Sequence, residues 1–215
     1  MKKLLYIPVN SKPEGISTSK KMGRQFVNSF LAESPDYMIE ELDLFNEFIP
    51  EINHRLLKGW VELVSGPSYD ALSIEDKKAV DKINDLINQF LLADIYVIAA
   101  PMWSLSFPYK LKQYIDCIVL NNRLISLKPE EIKGLLDNKD RAMVYIQSAG
   151  GIYPKIFAGA FNPGVDYVQD LFKFLGIKRF EKILIQGNDM HPVDKQEEID
   201  RATKDIDKIV KKLKG

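Results

Sequence analysis

Apolar residues in this chain gather in short continuous runs that are separated by longer stretches with a helical spacing. The runs at residues 4–9, 95–100, 142–146 and 182–186 are rich in aliphatic and β-branched side chains. Continuous apolar runs of this length are typical of parallel strands that helices cover on both faces. Residues 37–42 are less regular, but they lie where a further strand is needed. The pattern therefore predicts five strands.

Between these runs, apolar residues recur at spacings of three and four, which predicts amphipathic helices. The clearest repeat spans residues 74–91, and Ser73 followed by Asp76 resembles a capping box at its start. Further helices are predicted after Pro108 and over residues 199–213. Alternation of strands and helices predicts an α/β fold with a doubly wound parallel sheet. Five strands favour the flavodoxin-like order 2-1-3-4-5, in a single domain over residues 1–215.

The stretch at residues 44–72 interrupts this alternation after the second strand. It is too long for an ordinary connection from a strand to a helix, and we expect a short helix over residues 51–64 within it. Insertions of this length are often functional or lie at an interface.

Composition and charge exclude several classes of function. Lys and Arg number 30 and Asp and Glu number 30, so no basic field attracts nucleic acid. The apolar run after the basic start is too short for a signal peptide, and none approaches the ~18 residues of a membrane span. Cys117 lies among apolar neighbours, which favours a reduced thiol and a cytoplasmic location. With two histidines and one cysteine, we expect no metal site.

Three loops are expected to meet at the carboxyl ends of the strands, where open α/β sheets bind ligands. The first loop, at residues 10–19, enters a helix through Ser17, Thr18 and Ser19. Free N–H groups at a helix N-terminus and adjacent hydroxyls together suit a phosphate. An ordinary helix cap at Ser17 explains the same residues equally well. The loop matches neither a Walker A motif nor a dinucleotide fingerprint.

The other two loops have compositions that suit a flat ligand. Residues 99–108 hold two prolines, one methionine and two aromatic residues, which can wall a ring, although they can also belong to a satellite core. Residues 147–153 include Gly150 and Gly151, which permit close approach of a ligand to the backbone or, alternatively, a simple tight turn.

Residues 100–108, followed by Leu111, Lys112 and Asp116, resemble the FMN-dependent NAD(P)H azoreductase and quinone reductase family. The Ser-x-Ser entry to the first helix, the insertion and the loop at residues 148–151 extend this resemblance over most of the chain. Four residues depart from the family pattern: Trp103 replaces Tyr, Ser104 replaces Asn, Leu105 replaces Phe and Ala149 replaces Arg.

The resemblance implies that this chain binds FMN. It places the phosphate at Ser17, Thr18 and Ser19, with Asn10 where the family has Ser. The residues that it places along the ribityl chain and the ring are Pro101, Met102, Trp103, Ser104, Leu105, Ser148, Ala149, Gly150 and Gly151. Tyr153 stands where the family often has His and is expected to donate a hydrogen bond near the ring or the substrate.

The resemblance also implies a ping-pong reaction in which NADH or NADPH reduces FMN and a small aromatic acceptor, such as a quinone or an azo compound, reoxidises it. It further implies a homodimer. Because aromatic residues are enriched at interfaces, those of the insertion are candidate contacts, although they can also pack on their own subunit: Phe45, Phe48, Trp60 and Tyr69. Two alternatives remain open. One is a flavodoxin-type electron carrier, against which the zero formal charge argues, and the other is a flavin-binding regulatory protein without turnover.

Overall fold

A computed structural model describes residues 2–59, 61–152, 162–189 and 192–214. The strands, in chain order, are β1 Lys2–Pro8, β2 Tyr37–Glu41, β3 Leu57–Lys58, β4 Glu62–Leu63, β5 Ile95–Pro101, β6 Ile125–Lys128, β7 Glu131–Gly134, β8 Ala142–Ser148 and β9 Arg179–Ile185. The helices are α1 Thr18–Glu33, α2 Pro67–Asp70, α3 Ile74–Leu92, α4 Tyr109–Ile118, α5 Pro163–Leu175 and α6 Pro192–Lys214.

Five strands form one parallel sheet in the order β2-β1-β5-β8-β9. Counted along the chain, this is the order 2-1-3-4-5, so the prediction of a flavodoxin-like doubly wound sheet is confirmed. All five predicted strands are present, with ends shifted by up to three residues. The order reverses between β1 and β5, and this point fixes where a ligand is expected to bind.

Side chains from one strand alternate between two cores, one on each face of the sheet. Leu4 and Tyr6 pack with α1 and α6, whereas Leu5 and Ile7 pack with α3, α4 and α5. The helix predicted over residues 74–91 is α3, and Ser73 caps it by accepting a hydrogen bond from the Asp76 amide. The sheet is covered on both faces, as its continuous apolar runs predicted.

The insertion after β2 differs from the prediction. The expected helix over residues 51–64 is wrong, because β3 and β4 form a hairpin there with Leu57 opposite Leu63. Gly59 and Val61 adopt positive φ angles of 49° and 56°, which end any helix and turn the chain back. A second hairpin, β6–β7, lies between α4 and β8 and was not predicted.

Candidate functional site

A cavity of about 210 Å³ opens at the carboxyl edge of the sheet, at the point where the strand order reverses. Four loops contribute to it, which are those that follow β1, β5, β8 and β9. The residues that line it are Asn10, Lys12, Ile16, Ser17, Thr18, Pro101, Met102, Trp103, Ser148, Ala149, Gly150, Asn188 and Asp189.

A larger groove of about 630 Å³ runs along α3 beside the insertion. Three of its polar side chains are already paired, since the Tyr69 hydroxyl donates to Asp81 and Lys82 pairs with Glu47, which lies outside the groove lining. The smaller cavity is therefore the better candidate, because it alone of the two combines a helix N-terminus with loops at the strand ends.

One end of the cavity lies at the N-terminus of α1. Ser17 caps α1, and its Oγ accepts hydrogen bonds from Asn10 Nδ2 at 2.9 Å and from the Lys20 amide at 3.3 Å. With its acceptor capacity used, the buried Ser17 hydroxyl acts as a donor, and Ser19 Oγ, 3.3 Å away, is an acceptor already within its reach. In the part of the chain that the structure describes, the amides of Thr18 and Ser19 have no acceptor. These donors at a helix N-terminus suit a phosphate.

The loop after β5 forms the wall of the cavity and contains a tight turn. Trp103 and Ser106 exchange backbone hydrogen bonds of 3.3 and 2.8 Å, and the two residues between them, Ser104 and Leu105, have φ angles of 49° and 60°. Hairpin turns of this kind favour Asn and Gly at both central positions, so Ser and Leu are strained there. The strained turn leaves Trp103 at the cavity with its side chain 39% exposed.

A buried amide pair holds this loop from beneath. Gln147 Nε2 donates to the Ser106 carbonyl at 3.2 Å, and Gln147 Oε1 accepts from Asn162 Nδ2 at 2.6 Å. Gly164, in the first turn of α5, approaches so closely that a Cβ there would lie 2.7 Å from Ser106 Cα. The position of the loop therefore depends on α5 as well as on β8.

The loops after β8 and β9 are joined by backbone hydrogen bonds. The Asn188 amide donates to the Ala149 carbonyl at 2.9 Å, and the Asp189 amide donates to the Gly150 carbonyl at 3.1 Å. A Cβ on Gly150 would lie 2.4 Å from Asp189 Oδ2, so a larger residue there would displace the Asp189 side chain, which also lines the cavity. Asn188 Oδ1 also accepts from the Thr18 hydroxyl and so links both loops to α1.

Nine of the sequence-predicted residues line the cavity: Asn10, Ser17, Thr18, Pro101, Met102, Trp103, Ser148, Ala149 and Gly150. Four others lie in the same loops without lining it: Ser19, Ser104, Leu105 and Gly151. Tyr153 lies outside the described residues.

Sequence reasoning missed four lining residues: Lys12, Ile16, Asn188 and Asp189. Lys12 and Ile16 belong to the first of the three predicted loops, at residues 10–19. The loop after β9 ends at the same sheet edge, and its Gly-Asn-Asp at residues 187–189 was the available signal.

Comparison with known proteins agrees with this architecture. A family profile described as having a flavodoxin-like fold matches residues 2–210. The chain belongs to this family. It is 50% identical over 213 residues to FMN-dependent NADH:quinone oxidoreductase 1 of Clostridium acetobutylicum, covering 99% of this chain and 96% of that protein. An FMN-dependent NADH:quinone oxidoreductase of Ruminiclostridium cellulolyticum is 41% identical over 99% of this chain and 100% of its own.

A solved structure of an FMN-dependent NADH-azoreductase from Bacillus anthracis, in complex with FMN, superposes with a TM-score of 0.85. Its sequence is 25% identical, and the match covers 100% of each chain. The resemblance to the azoreductase and quinone reductase family is therefore confirmed.

The residues at the cavity fit FMN, the cofactor in the names of these relatives. FMN has a phosphate at one end and a flat ring at the other. The capped N-terminus of α1 offers donors for the phosphate, and Met102 and Trp103 offer apolar surface for the ring.

Membrane spans, metal centres and reactive thiols are three other kinds of functional feature. Within the described ranges, no helix is long and apolar enough to cross a membrane, and no group of three or more His, Cys, Asp or Glu is placed to hold a metal ion. Cys117 is buried and donates to the Pro50 carbonyl at 3.2 Å. Burial raises the pKa of its thiol to about 12, so the thiol is a poor nucleophile at neutral pH.

Proposed function

We propose that this protein is an FMN-dependent oxidoreductase that transfers two electrons from NADH to quinones, azo compounds or similar flat acceptors. The observation that carries the proposal is one cavity, at the reversal of strand order, that joins an anion-binding helix end to an aromatic wall. Relatives that match nearly the whole chain carry this activity in their names.

The N-terminus of α1 holds the phosphate in this proposal. The hydroxyls of Ser17 and Ser19 and the free amides of Thr18 and Ser19 donate to the phosphate oxygens. Asn10 keeps the Ser17 hydroxyl oriented through its 2.9 Å hydrogen bond. Lys12, at the cavity rim, adds a positive charge.

The ring end is formed by two loops that face each other. Pro101, Met102, Trp103, Ser104 and Leu105 lie along one side of the ring and the ribityl chain. Residues 148–151 lie along the other side, where backbone amides and small side chains allow close approach.

Bound FMN supplies the redox chemistry, accepting two electrons from NADH and passing them to the acceptor. The protein has to orient the ring, shield it from water and leave one face open. We propose that Tyr153 donates a hydrogen bond near the ring or the substrate.

The open face is used in turn by donor and acceptor, so we expect ping-pong kinetics. Exposed apolar side chains surround the cavity or belong to its loops: Ile16, Trp103, Leu105 and Ile152. Such a surface favours stacking of flat, weakly polar molecules without a strong preference among them. We propose NADH as the donor, in line with the names of the relatives.

We further propose that the protein acts as a homodimer in the cytoplasm, as a single domain. Of the aromatic residues in the insertion, Phe45 and Tyr69 pack against their own core, Phe48 is exposed, and Trp60 lies outside the described residues. Tyr109, at the start of α4, is also exposed and contacts Phe45. This apolar surface beside the cavity is the proposed contact with a second copy.

The visible absorption spectrum tests the proposal directly. The FMN-reconstituted protein is titrated with NADH without air, and a quinone is then added. Bleaching of the flavin band by NADH and its return with quinone are expected. Failure to bind FMN would contradict the assignment of the cavity, and binding without reduction would favour an electron carrier or a regulatory flavoprotein.

A further inference from the structure

Lys20 is a buried lysine in the first turn of α1, directly after the proposed phosphate-binding residues. Its side chain is 6% exposed, and its ammonium lies 2.8 Å from Asp43 Oδ2, whose side chain is 19% exposed. A cation in the first turn of a helix is disfavoured by the helix dipole, so helix stability does not account for this lysine. The ion pair with Asp43 is the interaction that explains its position.

Asp43 organises the beginning of the insertion. Its Oδ1 accepts a hydrogen bond from the Phe45 amide at 3.0 Å, and its carbonyl accepts from the amides of Asn46 and Glu47 at 3.1 and 2.9 Å. This turn fixes the direction in which the Phe45 side chain leaves the backbone.

Phe45 in turn supports the aromatic wall of the cavity. Its ring packs edge-on against Trp103, with centroids 5.9 Å apart and planes at 69°, and it also contacts Tyr109 at 6.0 Å. Trp103 lines the cavity together with Ser17. A chain of contacts therefore leads from the N-terminus of α1, through Lys20, Asp43 and Phe45, to Trp103. Both ends of this chain lie at the cavity.

We infer that Lys20 and Asp43 are a positioning pair, which couples the phosphate end of the site to the ring end. The inference rests on the proposed FMN site. Removing one partner of an ion pair this buried is costly, because it leaves an uncompensated charge, so the pair ties α1 to the turn at Asp43. The position of the Trp103 side chain therefore depends on the position of the N-terminus of α1, although neither Lys20 nor Asp43 lines the cavity.

Trp103 fluorescence tests the coupling in the FMN-free protein. Trp60→Phe leaves Trp103 as the one indole, since the chain has two tryptophans. In this background, Lys20→Met is expected to shift the Trp103 emission to the red, because its support by Phe45 loosens. Lys20→Arg, which keeps the charge, restores the emission of the parent. An emission spectrum that Lys20→Met leaves unchanged would overturn the inference.

The FMN dissociation constant, measured by quenching of flavin fluorescence, provides the second readout. Lys20→Met is expected to raise this dissociation constant about tenfold. A tenfold change corresponds to ~1.4 kcal/mol of binding free energy. Trp103→Ala has a smaller effect in the Lys20→Met protein than in the parent, because its support is already lost. Effects that simply multiply would also contradict the coupling.

Two controls separate positioning from general destabilisation. Lys139→Met breaks another 2.8 Å ion pair, with Asp94 at the opposite end of the sheet, and is expected to change neither readout.

The second control combines Lys20→Met with Asp43→Asn, which leaves no unpaired charge and keeps an acceptor for the Phe45 amide. This double variant is expected to unfold at the urea concentration of the parent while still showing the altered Trp103 emission. If the parent itself fails to bind FMN, the proposed function fails, whereas the emission test still decides the coupling.

Discussion

The two ends of the same parallel sheet differ in how their polar groups are used. At the amino end, Asp94 accepts from Lys139 and from the Lys3 amide, both at 2.8 Å, and buried Arg141 donates to the carbonyls of Leu136 and Leu91. At the carboxyl end, helix amides have no acceptor among the described residues, a turn is strained, and apolar side chains are exposed. The same five strands serve both ends, so the difference comes from the loops. Polar groups at the amino end bond mainly to one another, although buried Arg141 Nε has no partner among the described residues, whereas the carboxyl end is receptive to a ligand.

The largest expected loss of stability and of FMN affinity comes from a substitution that pushes α5 away from the loop after β5. In Gly164→Ala, the added Cβ would lie 2.7 Å from Ser106 Cα, so the loop that carries Trp103 must move. Overpacking of this kind costs about 1–3 kcal/mol of unfolding free energy, and the displaced wall is expected to raise the FMN dissociation constant by more than tenfold.

Urea unfolding and flavin fluorescence measure the two effects of Gly164→Ala. Gly15→Ala is the control, because a Cβ on Gly15 meets nothing within 4 Å. It is expected to alter the unfolding free energy by less than about 0.5 kcal/mol. An FMN affinity that Gly164→Ala leaves intact would show that α5 does not set the position of the wall.

Ser17→Ala tests the proposed phosphate-binding end of the cavity, and Ser73→Ala, at the cap of another helix, is its matched control. Ser17 and Ser73 are both helix caps, accepting from the Lys20 and Asp76 amides respectively. Either substitution by alanine is expected to cost about 1 kcal/mol of unfolding free energy. Only Ser17→Ala also removes a hydroxyl that faces the phosphate, and it is expected to raise the FMN dissociation constant about tenfold. Equal FMN affinities in the two variants would make Ser17 an ordinary cap.

The amount of structure that could be predicted from sequence differs between these regions. Continuous apolar runs predicted four of the five strands, and helical spacing with a cap at Ser73 predicted α3, because periodicity and capping are local properties. Strand β2 was predicted only from its place in the alternation of strands and helices. The loops at residues 10–19 and 99–108 were found because hydroxyls before a helix, and prolines with aromatic residues, are conspicuous in composition.

The rest of the site depends on contacts between segments that are distant in sequence. Asn188 bonds to Thr18 across 170 positions, and the Asp189 side chain packs closely against Gly150 across the loops that follow β8 and β9. The hairpin β3–β4 was mistaken for a helix, because Val61 adopts a positive φ angle that its residue type disfavours. Such features follow from tertiary packing, which periodicity does not report.

Relieving the strained turn is expected to stabilise the protein at the expense of the site. Ser104→Asn combined with Leu105→Gly places the favoured residues of a tight hairpin turn at φ angles of 49° and 60°. The unfolding free energy is expected to rise by about 1 kcal/mol, while the KM for a quinone rises because the exposed Leu105 side chain is lost.

Val61→Gly is the matched control for that pair of substitutions. It relieves a positive φ of 56° in the insertion without touching the cavity. We expect it to stabilise the protein without changing the KM. If the turn variant is less stable than the parent in urea, the backbone at residues 104–105 is not strained.

The smallest expected effect belongs to the amino end of the sheet, where the stabilisation by Asp94 is present at neutral pH and is lost in acid. Burial opposes ionisation of Asp94, but hydrogen bonds from Lys139 and from the Lys3 amide outweigh it and lower the pKa of this carboxyl. Because the folded-state pKa is below the unfolded value of about 3.9, the stabilisation is present above that pH and disappears as the pH falls through the folded-state pKa.

Asp94→Asn is therefore expected to lower the unfolding free energy by no more than about 1 kcal/mol at pH 7. This loss of stability is expected to shrink below pH ~4, and the FMN affinity at pH 7 is expected to stay unchanged. Asp36→Asn, which breaks an exposed pair 3.7 Å from Lys2, is the surface control and is expected to change the unfolding free energy at pH 7 by less than about 0.5 kcal/mol. A loss of FMN affinity in Asp94→Asn would mean that the two ends of the sheet are not independent.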